Sequence, residues 1–78
     1  MQLDQRAREA QASDLWTMKT VLAYFGGERP LHASTLYRGI AAGRYPAPIK
    51  PSPNIARWRR SECEVAMQRI VEERDRDE

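Results

Sequence analysis

Seventy-eight residues carrying 13 Lys and Arg against 11 Asp and Glu, a net charge of +2, leave room for one domain with a modest core. Short chains bury a smaller share of their surface than long ones, so a deep catalytic pocket of about 300–1,000 Å³ is not expected. Cys63 is the lone cysteine and His32 the lone histidine, which rules out an intrachain disulfide and falls short of a four-ligand zinc site. No apolar run approaches the roughly 20 residues that span a bilayer. The opening MQLDQRAREA is too polar for a secretion signal, so a cytoplasmic chain is expected.

Residues 1–14 are polar and alanine-rich with no apolar stripe to dock them, and are read as a mobile arm. Order is expected to begin at Leu15-Trp16. Thr17 suits an N-cap, and Met18, Val21, Leu22 and Phe25 recur at helical spacing before Gly26-Gly27 stops the helix. A turn through Glu28-Arg29-Pro30 leads to a second amphipathic helix over about 33–42, closed by Gly43. At 100° per residue, Ala33, Leu36 and Ile40 share one face, and Ser34, Thr35, Arg38 and Ala42 the opposite one.

Between Tyr45 and Trp58 lie Pro46, Pro48, Pro51 and Pro53, a density that no helix survives. Two short extended pieces, about 47–50 and 55–58, flank Pro51-Ser52-Pro53-Asn54 and predict a hairpin at the outside of the molecule. Ser61-Glu62-Cys63-Glu64 predicts a capping box, followed by a buried stripe of Cys63, Ala66, Met67 and Ile70. Beyond Val71 every residue is charged, so 72–78 is expected to fray into a solvated tail. Helix, turn, helix, hairpin, helix is the order of a small winged helix-turn-helix domain over 15–71, mainly α with a two-stranded wing.

The distribution of charge says more than its total. From Lys19 to Arg60 eight basic residues (Lys19, Arg29, Arg38, Arg44, Lys50, Arg57, Arg59, Arg60) face one acid, Glu28, for a net of +7. Residues 1–18 sum to −1 and residues 61–78 to −4. A basic body with an acidic end suits a polyanion-binding domain, although an ordinary solvated surface reads the same way.

Several runs together resemble one family. They are Leu15-Trp16-Thr17, Phe25-Gly26, His32 to Arg38, Gly43-Arg44-Tyr45-Pro46-Ala47-Pro48 and Arg57-Trp58-Arg59-Arg60-Ser61-Glu62. In this order they resemble the AlpA-like regulators and phage-type excisionases, small winged helix-turn-helix proteins related to the DNA-binding domain of MerR-type regulators. The chain departs from that pattern in having His32 where the family caps the second helix with serine or threonine, Thr20 where it has an acid, and a longer turn. The resemblance implies sequence-specific binding of double-stranded DNA. The output would be recombination directionality, assisting an integrase during excision of a mobile element, or transcriptional control.

Ser34, Thr35 and Arg38 are the candidates for major-groove contacts, since hydroxyls and an Arg fork reach base edges. Ser34 and Thr35 would alternatively only cap the helix. Tyr37, beside the buried stripe, either donates its hydroxyl to a phosphate or simply packs. Arg44 at the helix end, with Lys50, Ser52, Asn54 and Arg57 in the wing, are candidates for phosphate or minor-groove contacts. Trp16, Trp58 and Cys63 read as core, and His32 as a helix-start residue.

No nucleophile–base–orienter set can be assembled, so no enzyme is expected, nor any cofactor, metal, membrane or small-molecule ligand. One small domain contacts too little DNA for the usual specific affinity of ~10⁻⁸–10⁻¹¹ M, so neighbouring copies are expected to bind tandem sites cooperatively in the nucleoid. A rival reading is an adaptor whose basic face docks an acidic protein.

Overall fold

The computed structural model describes residues 14–77; the expected N-terminal arm lies, apart from Asp14, outside the described residues. In chain order the elements are β1 (Leu15–Trp16), α1 (Met18–Gly26), α2 (Ala33–Ala41), β2 (Ile49–Ser52), β3 (Ile55–Arg59) and α3 (Arg60–Asp77). They form a small mixed α/β domain of three helices and a three-stranded antiparallel sheet in the order β1-β3-β2.

Thr17 caps α1 as its position requires: its backbone is extended and its hydroxyl accepts from the Thr20 N–H at 3.3 Å. Where a capping box would place Glu or Gln, the Thr20 hydroxyl lies 3.2 Å from that of Thr17. The two glycines that end α1 do different things. Gly27 takes φ +73, a conformation that disfavours side chains, while a Cβ on Gly26 would come within 2.7 Å of the Leu31 nitrogen. That close approach lets the Leu31 N–H donate to the Leu22 carbonyl at 3.0 Å, folding the six-residue connection back onto α1.

Helix α2 begins after His32, whose side chain makes no cap bond, and stops where Gly43 takes φ +79. Leu36 is fully buried and Ile40 half-buried, as the periodicity predicts, while Ala33 is exposed. The chain then turns so that the Tyr45 ring lies across Gly39 and stacks on Phe25 with centroids 4.5 Å apart. A Cβ on Gly39 would collide with Cδ2 and Cε2 of that ring. Gly39→Ala, which in an open helix interior gains about 1 kcal/mol, is therefore expected to cost about 1–3 kcal/mol. Thermal unfolding checks this, and an unchanged or higher midpoint would mean that the ring moves aside freely.

The hairpin forms at the predicted place but with a different tip. Pro53-Asn54 alone makes the turn, and Pro51 lies inside β2. Ser52 faces Ile55 and Ile49 faces Arg57, so three steps along β2 match two along β3 and one extra residue bulges near Lys50-Pro51. Pro51 has no N–H to give the ladder, and β2 is an edge strand, where such a break is tolerated.

The expected two-stranded sheet gains a third strand. Leu15 pairs with Arg59 and Trp16 with Trp58, which makes β3 central. The pleat then sends Trp16 and Trp58 to one face, with Leu15 and Arg59 on the other. The inner face carries the core: Trp58, Val21, Leu36 and Cys63 are fully buried, with Trp16, Met18, Leu22, Tyr24, Phe25, Ile40 and Tyr45 packed around them. The indole N–H of Trp58 donates to the Pro46 carbonyl at 3.0 Å, tying the proline-rich connection to the core.

Helix α3 departs from expectation at both ends. Arg60 is already helical, so Ser61 lies within the first turn and cannot cap it; an exposed Arg60–Glu64 pair at 3.6 Å spans that turn instead. The helix also continues to Asp77 rather than ending at Val71. Its 18 residues reach about 27 Å, with Cys63 and Ala66 buried and residues 72–76 carrying exposed charged side chains. No helix among the described residues is long and apolar enough to cross a membrane.

Candidate functional site

Tyr37 projects from α2 toward the hairpin, and together they enclose a concave groove of about 380 Å³. Met18 and Ile55 contribute apolar wall, while Lys50, Asn54 and Arg57 from the hairpin supply polar groups. Of the residues singled out from the sequence, this groove unites Tyr37 with Lys50, Asn54 and Arg57, although 13 or more residues separate them along the chain. The turn at Gly43, the Tyr45–Phe25 stack and the Trp58–Pro46 hydrogen bond hold α2 and the hairpin in this relation.

Each group keeps bonding capacity. Tyr37 is 45% exposed and lines the groove. Lys50 and Asn54 are exposed. The half-buried Arg57 donates from Nη1 to the Ala56 carbonyl at 2.8 Å, which steadies its guanidinium at the groove. Next to Tyr37 in the chain, Arg38 is exposed and donates from Nε to the Ser34 carbonyl at 3.4 Å, drawing its guanidinium back toward the start of α2. Neither ion pair among the described residues, Arg60–Glu64 and Arg74–Asp75, involves Arg38, Lys50 or Arg57.

The other candidates are placed differently. Ser34 is exposed beside Arg38, but Thr35 and Ser52 are half-buried. Arg44 is exposed and borders a smaller cleft with Arg69, Ile70 and Glu73 of α3, apart from the groove. Met18 and Ile55 carried no signal in the sequence as groove residues: Met18 reads as one member of the α1 apolar stripe and Ile55 as an ordinary strand residue.

The titratable groups that depart from ordinary behaviour lie in the core. Burial pushes the Cys63 thiol up to about 11, with Glu62 and Glu64 adding to the effect. Its folded-state pKa is raised, so this contribution to stability is complete below pH 9 and lost as pH rises to about 11. Burial, then Glu64 and Cys63, likewise raise the Tyr24 hydroxyl. Among the described residues no three His, Cys, Asp or Glu side chains gather as metal ligands would. What the groove and Arg38 offer is a cationic, hydrogen-bonding track with an apolar wall, suited to an extended anionic strand. Comparison with family models, with curated proteins and with solved structures gives no match to this chain.

Proposed function

We propose that this chain is a winged helix-turn-helix protein that binds double-stranded DNA. Helix α2 enters the major groove, and the β2–β3 hairpin acts as the wing on the neighbouring backbone. The observation that carries the reading is the convergence of Tyr37 with Lys50, Asn54 and Arg57 on one groove, beside Arg38, within a stretch of net charge +7. A second helix with an exposed Arg in its last turn and a basic hairpin alongside is compatible with how such domains divide base reading from backbone contact. The rival adaptor reading has no need of this pairing.

In this reading Arg38, in the last turn of α2, reads a base, with Ser34 and Thr35 about one turn before it. Tyr37, Lys50, Asn54 and Arg57 hold the phosphate backbone, and Ser52 supports the wing from β2. Arg44 serves the backbone from the far end of α2. The role is that of an excisionase-type recombination directionality factor, assisting an integrase from the nucleoid. Support for it comes from the resemblance in the runs around Arg38, Arg44 and Trp58; an AlpA-like transcriptional regulator would use the same surface. Neighbouring copies bind tandem sites cooperatively, because one small domain covers little DNA. No catalytic step, cofactor or small-molecule ligand enters.

Two substitutions test the division of labour in band-shift titrations against a site selected from random duplexes. Arg38→Ala is expected to cost about 1–3 kcal/mol on the selected site and to relax preference at one position. Lys50→Ala is expected to weaken selected and random duplexes alike. Equal damage by Arg38→Ala on both kinds of DNA would assign Arg38 to the backbone. No binding by the unaltered chain to any duplex would overturn the function.

A further inference from the structure

The groove between α2 and the hairpin holds more than contact with a phosphate backbone uses. Lys50 and Arg57 are cationic and Asn54 is polar, but Met18, Tyr37 and Ile55 add an aromatic ring and apolar surface. Tyr37 is 45% exposed and Ile55 41%. Apolar groups pressed against phosphate and sugar would take water from the charge and return no hydrogen bond. No acid borders the groove among the described residues, and neither Lys50 nor Arg57 is in an ion pair there. Its volume of about 380 Å³ falls in the range, about 300–1,000 Å³, of sites that hold small ligands.

The part of a nucleic acid that joins apolar faces to a polar edge is the base. In a duplex those faces are stacked on their neighbours, and an unpaired nucleotide frees them. An aromatic ring then stacks on any base, because every base has a π-face, and the polarizable thioether of Met18 suits the same surface. The Asn54 amide carries a donor and an acceptor, as a base edge does. Lys50 and Arg57 supply two cations, and a nucleotide inside a strand has a phosphate on each side, whereas a free mononucleotide brings one. In a regular ladder Lys50 would point away from Arg57, since Ile49 is the residue opposite Arg57. The bulge between Ile49 and Ser52 breaks that alternation, and both cations border the groove.

We propose that this groove is a binding site for an unpaired nucleotide of single-stranded DNA. The base stacks on Tyr37 along the wall of Met18 and Ile55, and Lys50 and Arg57 hold the flanking phosphates. Met18 and Ile55 offer no hydrogen bond to a 2′-hydroxyl, which favours deoxyribose over ribose. The site goes beyond duplex binding: it uses the hairpin and Tyr37 without inserting α2 between strands, so it stands or falls apart from the winged-helix reading.

The test is fluorescence anisotropy of the full chain with labelled strands of about eight nucleotides at low salt. One strand is deoxyadenylate, and a second is abasic deoxyribose phosphate with the same number of phosphates. The deoxyadenylate strand is expected to bind about tenfold more tightly, the scale of base–aromatic stacking. Tyr37→Leu is expected to remove that advantage and Tyr37→Phe to keep it, with circular dichroism separating lost stacking from lost fold. An abasic strand bound as tightly as the deoxyadenylate strand overturns the proposal, because charge alone would then account for binding; this comparison needs no variant. A folded Tyr37→Leu that keeps the advantage overturns it as well, and so does a riboadenylate strand bound more tightly than the deoxy strand. Binding of the strand without binding of any duplex supports this site and overturns the winged-helix reading; duplex binding without strand binding does the reverse.

Discussion

Trp58→Ala is expected to leave the chain without a cooperative unfolding transition at 25 °C. The indole is fully buried at the centre of β3, and its loss removes the largest side chain of the core. Phe or Trp to Ala in a core costs about 3–5 kcal/mol, which approaches or exceeds what a single domain of this size holds in reserve. Two further losses come with it. The Pro46 carbonyl loses its indole donor, so the proline-rich connection is no longer tied down. Trp16 loses its cross-strand partner, and β1 consists of only Leu15 and Trp16, so the third strand is expected to detach. Trp58→Phe should keep most of the packing but not the hydrogen bond, and is expected to lie between the two. Circular dichroism through a thermal ramp checks the series. A sharp transition in Trp58→Ala close to that of the unaltered chain would mean that the core rests on Val21, Leu36 and Cys63 without the indole.

How much of this architecture the sequence discloses follows from the range of each cause. Helices α1 and α2 were legible because their signals are local: Thr17 before Met18, the 3.6-residue recurrence of Val21, Leu22 and Phe25, and the glycines that end each helix. Strand β1 was not, since two residues cannot display a period and its partner Arg59 lies 44 residues on. The end of α3 is not legible in the sequence, because a run of charge reads as fraying. Glu and Arg are good helix formers, and the Gln68 amide donates to Glu72 at 3.4 Å, one turn on, which carries the helix forward without a core. At the candidate site the residue types were visible but their grouping was only partly so. Tyr37, Lys50, Asn54 and Arg57 come together, whereas Arg44 lies by α3 because the chain reverses at Gly43. Nothing in a linear pattern reports that reversal; it depends on Tyr45 crossing Gly39 to reach Phe25.

Duplex affinity is expected to fall steeply with salt, and the size of the fall counts the phosphates engaged. Each neutralised phosphate releases condensed counterions, giving a slope of log affinity on log salt of about −0.9 per contact. If only Arg44, Lys50 and Arg57, the cations assigned to the backbone, engage, a fourfold rise in salt weakens binding by about 40-fold. If all eight cations between Lys19 and Arg60 engage, the same rise weakens it by about 2 × 10⁴. The geometry favours the lower end, since of the eight only Lys50 and Arg57 border the groove. Lys50→Ala is then expected to make the slope shallower by about 0.9, the share of one contact. Arg44 supplies the measure of how far the footprint extends. It borders a cleft shared with Glu73, and if it serves the backbone from the far end of α2, Arg44→Ala makes the slope shallower by the same amount. A slope unchanged by Arg44→Ala would confine the bound strand to the groove. Fluorescence anisotropy on a single labelled duplex across a salt series gives all three slopes. An affinity that does not change between low and physiological salt would remove the electrostatic basis of binding, and with it the assignment of the +7 body to a nucleic acid.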